Sequence, residues 1–401
     1  MSAPLLLDLS HTSHTRARTG IQRVARALWR ELGARAQPVT HDPHHGAWRP
    51  LDRWELANLS TDAFASRRGA VWPLAAKLRG HTRRLLRSPS LNSKLSTLNP
   101  SALFVPEVFS PAVAAALPAL FAAAPGPRAA LFHDAIALKF PELTPPKTVA
   151  RFPAYLRELL AFDGIAANSD DSRDTLLSYW RWLGIPAAAQ PIVTTISLGT
   201  ELLPSLVSPP STLSSQPSSL PTLLSVGSLE GRKNHLALLE ACEQLWTSGA
   251  RFELRLIGLT HPQTGRAALA RVRALQAAGR PLRYDGAVND ATLTAAYAAC
   301  TFTVYPSLIE GFGLPVLESL AHGKPCVCSA RGALGESARD GGCLALDHVD
   351  APSLAAAIAR LLTSSPELAA LSAAARARRF RTWTDYVRDL AAWLPTLPRR
   401  P

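Results

Sequence analysis

Cysteine is scarce in this 401-residue chain, and the five cysteines are an odd number. Small secreted proteins held by disulfides normally use an even set, so the sequence excludes that class. The first residues lack the basic segment and long apolar core of a signal peptide. Residues 110–127 are uncharged and rich in alanine, but four prolines interrupt them. This pattern favours a buried helix followed by a loop over a membrane span.

Several ligand-binding motifs are also absent. The sequence contains no G-x-G-x-x-G fingerprint, no P-loop, no D-x-D triplet and no repeat of 20 to 50 residues. His11 and His14 have no third ligand at a convincing spacing. We expect Cys326 and Cys328, one residue apart in a predicted strand, to point to opposite sides of it. We therefore expect no metal ion and no cofactor.

Charge is distributed unevenly along the chain. The net charge is +13, and no acidic residue occurs between Asp62 and Glu107. The segment 67–94 carries eight basic residues, with a tryptophan and several leucines between them. Such a segment can lie on an anionic membrane, bind nucleic acid, or form a solvated basic surface. We expect a cytoplasmic protein that is peripheral to the inner face of a membrane, and we expect no nucleic acid partner.

A segment rich in proline and serine divides the chain. Residues 201–221 are too rich in these residues to belong to a packed element, which predicts a linker. After it, short apolar runs alternate with helical patterns, typical of a parallel sheet covered by helices. Examples are the predicted strands 222–226 and 282–284 and the predicted helix 290–299. The first half shows the same alternation less clearly, with predicted strands at 5–9, 129–132 and 164–168. The predicted organisation is an N-terminal domain over 1–200, a C-terminal domain over 222–381 and a final helical segment over 382–401.

The segment 310–318 is the most informative part of the sequence. Its glycines precede Leu314 and Pro315, which read as the first turn of a helix that ends near residue 322. A helix N-terminus carries unpaired backbone N–H groups, where a diphosphate can bind. Glu318, one turn into the helix, can accept hydrogen bonds from ribose hydroxyls, and Glu310 would face the attached sugar. The remaining candidate residues of this segment are Gly311, Phe312 and Gly313.

Two other segments carry candidate site residues. Arg232 and Lys233 follow the first strand of the second half, where two cations can neutralise a diphosphate, and Asn234 reads as the cap of the next helix. In the first half, His133 follows a predicted strand. Ligands in such folds bind at the carboxyl ends of strands.

The block from Thr301 to Val327, with Glu310 and Glu318 inside it, resembles the signature of the retaining glycosyltransferases of family 4. The resemblance implies the GT-B architecture: two facing doubly wound Rossmann-like domains with a cleft between them. It also implies that His133 contacts the donor sugar near its reactive carbon and that Gly20 approaches the phosphates or the acceptor. Ser228 stands where these enzymes often have an arginine, which lowers the number of expected phosphate contacts.

The function implied by the resemblance is transfer of a hexosyl unit, of which mannosyl is one candidate, from a nucleoside-diphosphate sugar to a glycan or lipid-linked acceptor. We expect this reaction to retain configuration, to need no metal and to serve bacterial cell-surface polysaccharide or lipopolysaccharide synthesis. One alternative is a non-catalytic module that binds membrane or nucleic acid through 67–94. Another is a nucleotide-sugar epimerase or hydrolase, for which the sequence offers no acid/base pair.

Overall fold

A computed structural model describes residues 3–17, 19–61, 69–86, 99–200 and 220–400. The chain forms two compact units. The first comprises Met1–Asp134, Arg151–Gly199 and Trp383–Pro401, and the second comprises Ala135–Ala150 and Thr200–Thr382. Most of the predicted linker, and residues 67–68 and 87–94 of the basic segment, lie outside the described residues.

The first unit is built on a seven-stranded sheet. Its strands are β1 Leu5–Asp8, β2 Ala36–Asp42, β3 Ala47–Pro50, β4 Ala102–Val105, β5 Arg128–Phe132, β6 Gly164–Ala167 and β7 Ile192–Thr195. Their order is β3-β2-β1-β4-β5-β6-β7, and every pair is parallel except β2 with β3. All residues of β1, β4, β5 and β6 are buried, as expected for parallel strands covered on both faces.

The second unit is built on a six-stranded parallel sheet. Its strands are β8 Thr222–Val226, β9 Glu253–Ile257, β10 Leu282–Tyr284, β11 Phe302–Tyr305, β12 Cys326–Ser329 and β13 Cys343–Leu346. Their order is β10-β9-β8-β11-β12-β13. Counted within the unit, this is the Rossmann order 3-2-1-4-5-6, in which ligands bind where the order reverses. That position lies between β8 and β11.

The described helices cover both sheets. They are α1 Gly20–Leu32, α2 Arg53–Ser60, α3 Leu74–Leu85, α4 Pro111–Ala123, α5 Ile136–Lys139, α6 Pro146–Glu158, α7 Asp170–Trp182, α8 His235–Thr247, α9 Arg266–Ala277, α10 Asp290–Ala299, α11 Leu314–Ala321, α12 Gly332–Ala338, α13 Ala351–Thr363, α14 Ser365–Ala377 and α15 Trp383–Trp393. In the second unit, Leu238 of α8 and Leu354 of α13 pack with Phe302 in one apolar core.

The last helix, α15, belongs to the first unit. Tyr386 and Leu390 are fully buried there. The chain after it lies against β6, where a Cβ on Gly164 would come within 2.6 Å of Leu397. The backbone N–H of Arg400 donates to Asp163 at 2.7 Å. The C-terminal residues therefore complete the first unit although they follow the second in sequence.

The structure corrects the expectation for the cysteines. Cys326 and Cys328 lie on the same face of β12, in the apolar cluster that includes Tyr305. Val327 between them packs in the other core. The expectation was wrong because side chains alternate with a period of two, so residues two apart share a side. Cys343 is the register partner of Cys326 on β13. Even so, no described group of three or more His, Cys, Asp and Glu is arranged to hold a metal ion.

No single helix among the described residues has the length and apolar composition of a membrane span, although α13 and α14 meet both criteria together across a 96° bend. The alanine-rich segment forms α4, whose inward side buries Leu117 and Leu120. The predicted helix is therefore present with 13 residues, but only one side of it is buried.

Candidate functional site

The candidate site of the second unit lies at the reversal of strand order. The loop after β8 contains Arg232 and Lys233 in a short 3-10 turn, and the loop after β11 leads to Glu310. The two loops are bonded through their backbones, because the N–H of Leu308 donates to the carbonyl of Arg232 at 2.9 Å. The hydroxyl of Ser307 also lies 3.2 Å from that carbonyl. The two sequence segments predicted to share one ligand are thus neighbours.

Glu310 is the centre of a compact polar cluster. Its Oε1 accepts a bond from Lys233 Nζ at 2.6 Å, and its Oε2 lies 2.9 Å from Arg232 Nη1. The hydroxyls of Ser307 and Tyr305 donate to the same carboxylate, Tyr305 at 3.0 Å. Lys233 Nζ also bonds to the Tyr305 hydroxyl. The carboxylate is therefore held in one position by four side chains.

The pKa shifts reflect this arrangement. Burial would raise the pKa of Glu310, but the charges of Arg232 and Lys233 outweigh it and lower the pKa to about 2. Burial lowers the pKa of Lys233, and Glu310 opposes that shift. Burial, together with Glu310, raises the pKa of Tyr305 well above its ordinary value. Tyr305 is therefore a neutral hydrogen-bond donor at physiological pH.

Both predicted phosphate-binding cations are already paired with carboxylates. Arg232 Nη2 lies 2.7 Å from Glu230 Oε1, while its other terminal nitrogen contacts Glu310. Two cations thus face two carboxylates, Glu230 and Glu310. A diphosphate would have to compete with these carboxylates for the N–H donors of Arg232 and Lys233. Sequence reasoning missed Glu230, Tyr305 and Ser307, although all three lie within or beside the quoted motifs.

The predicted helix start is present at α11. Gly313 is its N-cap with φ of 93°, a left-handed conformation that glycine adopts without strain. A Cβ there would lie 3.0 Å from a methyl group of Leu334, so this glycine serves the backbone turn and close packing. Pro315 lies in the first turn and the helix ends at residue 321, as predicted, and Gly323 follows the C-cap with φ of 68°. Phe312 is partly exposed, and its carbonyl accepts a bond from Ser337 at 2.7 Å.

The cap of α8 differs from its prediction. Asn234 occupies the N-cap position, but its side chain makes no capping bond. Its φ is 55°, in the left-handed region that asparagine tolerates better than most residues. The side-chain amide instead donates to the carbonyl of Val349 at 2.7 Å. Asn234 therefore ties the basic loop to the segment before α13.

Glu318 lies on α11, one turn into the helix. Its Oε2 accepts a bond from the Tyr297 hydroxyl at 3.1 Å. The Tyr297 ring stacks on His322 with centroids 5.0 Å apart. Glu318 is partly exposed. The carboxylate is thus oriented by Tyr297, and this arrangement is compatible with the predicted contact to ribose hydroxyls.

In the first unit, His133 directly follows β5. It is buried, and its Nε2 lies 2.7 Å from the carbonyl of Pro106. A carbonyl can only accept, so Nε2 carries the proton and Nδ1 is the acceptor. Burial lowers the pKa of His133, against the opposing effects of Pro106, Asp134 and Glu107. The neutral ring can therefore accept a hydrogen bond from a ligand hydroxyl through Nδ1.

The same unit contains a carboxylate that sequence reasoning missed. Glu107 follows β4, and its carboxylate accepts bonds from the backbone N–H groups of His11 and Thr12, both at 2.8 Å. It thereby ties the loop after β4 to the loop after β1, at the reversal of strand order in this sheet. Glu310 links the corresponding two loops of the second unit, through Arg232 and Lys233. The sequence signal for Glu107 was weak, because it is a carboxylate in the loop after a buried strand with no motif around it.

Asp8, the last residue of β1, lies beside Glu107. It is 1% exposed. Burial, with the charge of Glu107, raises its pKa to about 7, although Ser10 donates to it through both N–H and hydroxyl. Gly20, the remaining candidate of this unit, begins α1, and a Cβ on it would meet no atom within 4 Å. That open space permits a ligand to approach the N-terminus of α1.

Comparisons with known proteins agree with this geometry. Residues 220–364 match the family model described as Glycosyl transferases group 1. The O-antigen chain mannosyltransferase B of Escherichia coli is 31% identical over 270 residues, which is 63% of this chain and 66% of that protein. The serotype-specific mannosyltransferase WbdA of Escherichia coli is 25% identical over 80% of this chain and 38% of that protein.

Solved structures give the same fold over nearly the whole chain. Sucrose-phosphate synthase from Thermosynechococcus elongatus has a TM-score of 0.66 at 18% identity, with 97% of each chain covered. HepE from Anabaena in complex with UDP and glucose has a TM-score of 0.67 at 16% identity, covering 98% of this chain and 99% of that one. These are GT-B glycosyltransferases, and the predicted GT-B fold class is confirmed.

The second unit is therefore a group 1 glycosyltransferase domain, and the resemblance identified in the sequence is confirmed at that level. Assignment to family 4 within the group stays a prediction. The chain spans 66% of the length of the first of these curated relatives and less than two fifths of WbdA.

Proposed function

We propose that this protein is a retaining, metal-independent glycosyltransferase that moves a hexosyl unit from a nucleoside-diphosphate sugar to a glycan or lipid-linked acceptor. The observation that carries the proposal is the cluster of Arg232, Lys233 and Glu310 beside the N-terminus of α11. It lies at the reversal of strand order, where a doubly wound sheet binds its ligand.

The chemistry of the donor assigns a task to each part of the cluster. The leaving diphosphate needs positive charge, which Arg232, Lys233 and the N–H groups at the start of α11 supply. When the donor binds, the diphosphate replaces Glu310 as the acceptor for the N–H groups of Arg232 and Lys233. The released carboxylate can then accept hydrogen bonds from sugar hydroxyls. Glu318 holds the ribose. The pairing of Glu310 with the cations in the free protein keeps the buried charges compensated until the donor binds.

Retention follows if the acceptor hydroxyl approaches the face from which the diphosphate leaves. The departing phosphate oxygen then takes the acceptor proton, so no separate base is needed. The neutral His133 would accept a hydrogen bond from a hydroxyl of the donor sugar through Nδ1 and orient it. Electrostatic stabilisation of the leaving group is thus the main contribution of the protein.

The sugar and the pathway are proposed from the relatives. Two of them are named as mannosyltransferases, one of an O-antigen chain, which supports mannosyl transfer in the synthesis of a cell-surface polysaccharide. HepE was solved with UDP and glucose, so a glucosyl donor is the one to compare with a mannosyl donor in the test.

The test is a donor screen with mass spectrometric detection. The full chain is incubated with GDP-mannose or UDP-glucose and a lipid-linked glycan acceptor, in EDTA and in magnesium. We expect one hexose to be added, equally well in EDTA, with an α-linkage by NMR from an α-linked donor. Inversion, or transfer only with magnesium, would overturn those parts of the proposal. No transfer and no nucleotide binding would favour a non-catalytic module instead.

A further inference from the structure

Helix α3 carries an unusual surface. The described residues include eleven large hydrophobic side chains that are exposed, and five of these lie between Val71 and Leu86. Leu74 is 73% exposed, Leu78 59% and Leu85 83%. Packing among the described residues does not account for leucines that are so exposed on one short helix. Large apolar patches on a soluble protein often mark an interaction site.

The leucines share one side of the helix. At about 100° per residue, Leu74, Leu78 and Leu85 fall within about 40° of one another. Ala76 and Gly80 lie on the opposite side and are the buried residues of the helix. A Cβ on Gly80 would come within 2.6 Å of the His44 Cβ, so this side is in close contact with the unit. The helix is thus docked through its small residues, with the leucines facing outward.

Basic residues lie beside the leucines. By the same rotation, Lys77 and Arg84 lie on one flank of the leucine stripe, whereas Arg79 and Arg83 lie toward the side that carries Ala76 and Gly80. Arg83 lies 3.4 Å from Asp52, which fastens the docked side to the unit. Lys77, Arg79 and Arg84 are exposed. An apolar stripe with exposed cations beside it is the arrangement of a helix that lies in the interface of an anionic bilayer.

The attachment of α3 holds this surface in place. The N–H of Val71 donates to the carbonyl of His14 at 2.7 Å. Trp72 stacks on the buried His14 ring with centroids 3.9 Å apart. These contacts place the stripe on the first unit without covering it.

We propose that α3 docks the protein on an anionic lipid surface, with Leu74, Leu78 and Leu85 in the acyl boundary and the flanking cations at phosphate groups. Nucleic acid, the rival partner for a basic segment, is recognised by cations with stacking or hydrogen-bonding side chains. It offers no use for three exposed leucines beside the cations. The inference does not rest on the proposed function, because lipid binding is measured without glycosyl transfer.

The test is sedimentation of the full chain with vesicles of phosphatidylcholine alone or with 30% phosphatidylglycerol. We expect binding to the anionic vesicles and little to the neutral ones. The triple variant L74A/L78A/L85A should bind at least tenfold more weakly. K77A/R84A should also bind more weakly, by roughly fivefold for each cation removed, and added salt should weaken the wild type in the same direction.

The matched controls lie in the second unit. Leu236→Ala removes another exposed leucine, and R266A/R273A removes two exposed arginines of α9; both should bind like the wild type. Unchanged vesicle binding in the leucine triple variant would overturn the proposal. So would tight binding of a 20-nucleotide single or double strand without vesicle binding, or a dimer that the triple variant alone abolishes. Circular dichroism and melting temperature check that every variant is folded.

Discussion

Lys233 and Glu310 are joined by a 2.6 Å contact between Nζ and Oε1, so a cation predicted to meet the diphosphate is already bound to the carboxylate predicted to meet the sugar. The pair is buried, and Arg232 shares the same carboxylate. Donor binding must therefore exchange one anion for another at these nitrogens. This exchange makes the proposed roles of the two residues separable by experiment.

Replacing Glu310 by Gln should tighten the binding of a nucleoside diphosphate while slowing glycosyl transfer. The amide no longer competes as an anion for Arg232 and Lys233, but it holds a sugar hydroxyl less strongly. We expect about a three- to tenfold lower Kd for the diphosphate by calorimetry, and on the order of a hundredfold loss in kcat.

Glu230→Gln is the control for that variant, because Glu230 pairs with the far side of Arg232 in the same cluster. It should tighten diphosphate binding to a lesser degree and leave kcat within a few fold of the wild type. Weaker diphosphate binding in Glu310→Gln would contradict the idea that carboxylate and diphosphate compete.

Replacing Lys233 by Ala should reduce transfer far more than stability. The Glu310 carboxylate keeps Arg232, Ser307 and Tyr305 as partners, so it is not left without compensation. We expect a loss in kcat on the order of a hundredfold or more, with a decrease in unfolding free energy of about 1 to 3 kcal/mol. Lys324→Ala, which removes a bond to the Cys300 carbonyl, is the matched control and should retain activity. Near-normal turnover in Lys233→Ala would remove Lys233 from the site.

Replacing Glu318 by Ala should raise the KM for the donor with a smaller effect on kcat. The carboxylate is assigned to the ribose, which does not change during transfer, so its loss weakens substrate and transition state alike. We expect about a tenfold increase in KM, in the range for lost hydrogen bonds to a charged group. Tyr297→Phe removes the hydrogen bond that orients the carboxylate and should raise the KM for the donor by a smaller factor. If kcat alone fell, Glu318 would belong to the reacting centre.

Replacing Asp8 by Asn should change the pH dependence of stability. The folded protein holds a proton on Asp8 up to a pKa of about 7, whereas an unfolded chain releases it near pH 4. Stability from this proton is present at low pH and is lost as the pH rises toward 7. As the pH rises from 5 to 8, the unfolding free energy of the variant relative to the wild type should increase by roughly 2 to 3 kcal/mol, measured by urea unfolding. A pH-independent difference between the two proteins would show that Asp8 is ionised throughout.

Much of the fold was predictable from local pattern. The boundaries of β8, β10 and α10 are as predicted, because each apolar run is bounded by turn residues or a cap. The strands β2, β3, β4 and β7 were not identified. Pro38 and the polar residues of β2 conceal a strand that is fixed by pairing with β1, and the antiparallel β3 has only four residues.

The candidate site was predictable in part for a similar reason. Glycine, proline and paired cations at fixed spacing identified the loops after β8 and β11. The ion pairs between those loops were not predictable, because they depend on residues about 77 positions apart meeting in space. Glu107 was missed because no motif marks it, and only the strand order brings it to the loop after β1.

The most direct test of the account is calorimetric titration of GDP and of UDP into the wild type and Lys233→Ala, both in EDTA. We predict that the wild type binds one of the two nucleotides with one site per chain, and that the variant binds it at least tenfold more weakly. Binding that needs magnesium, or equal affinity in the two proteins, would contradict the central claim that these side chains hold the diphosphate.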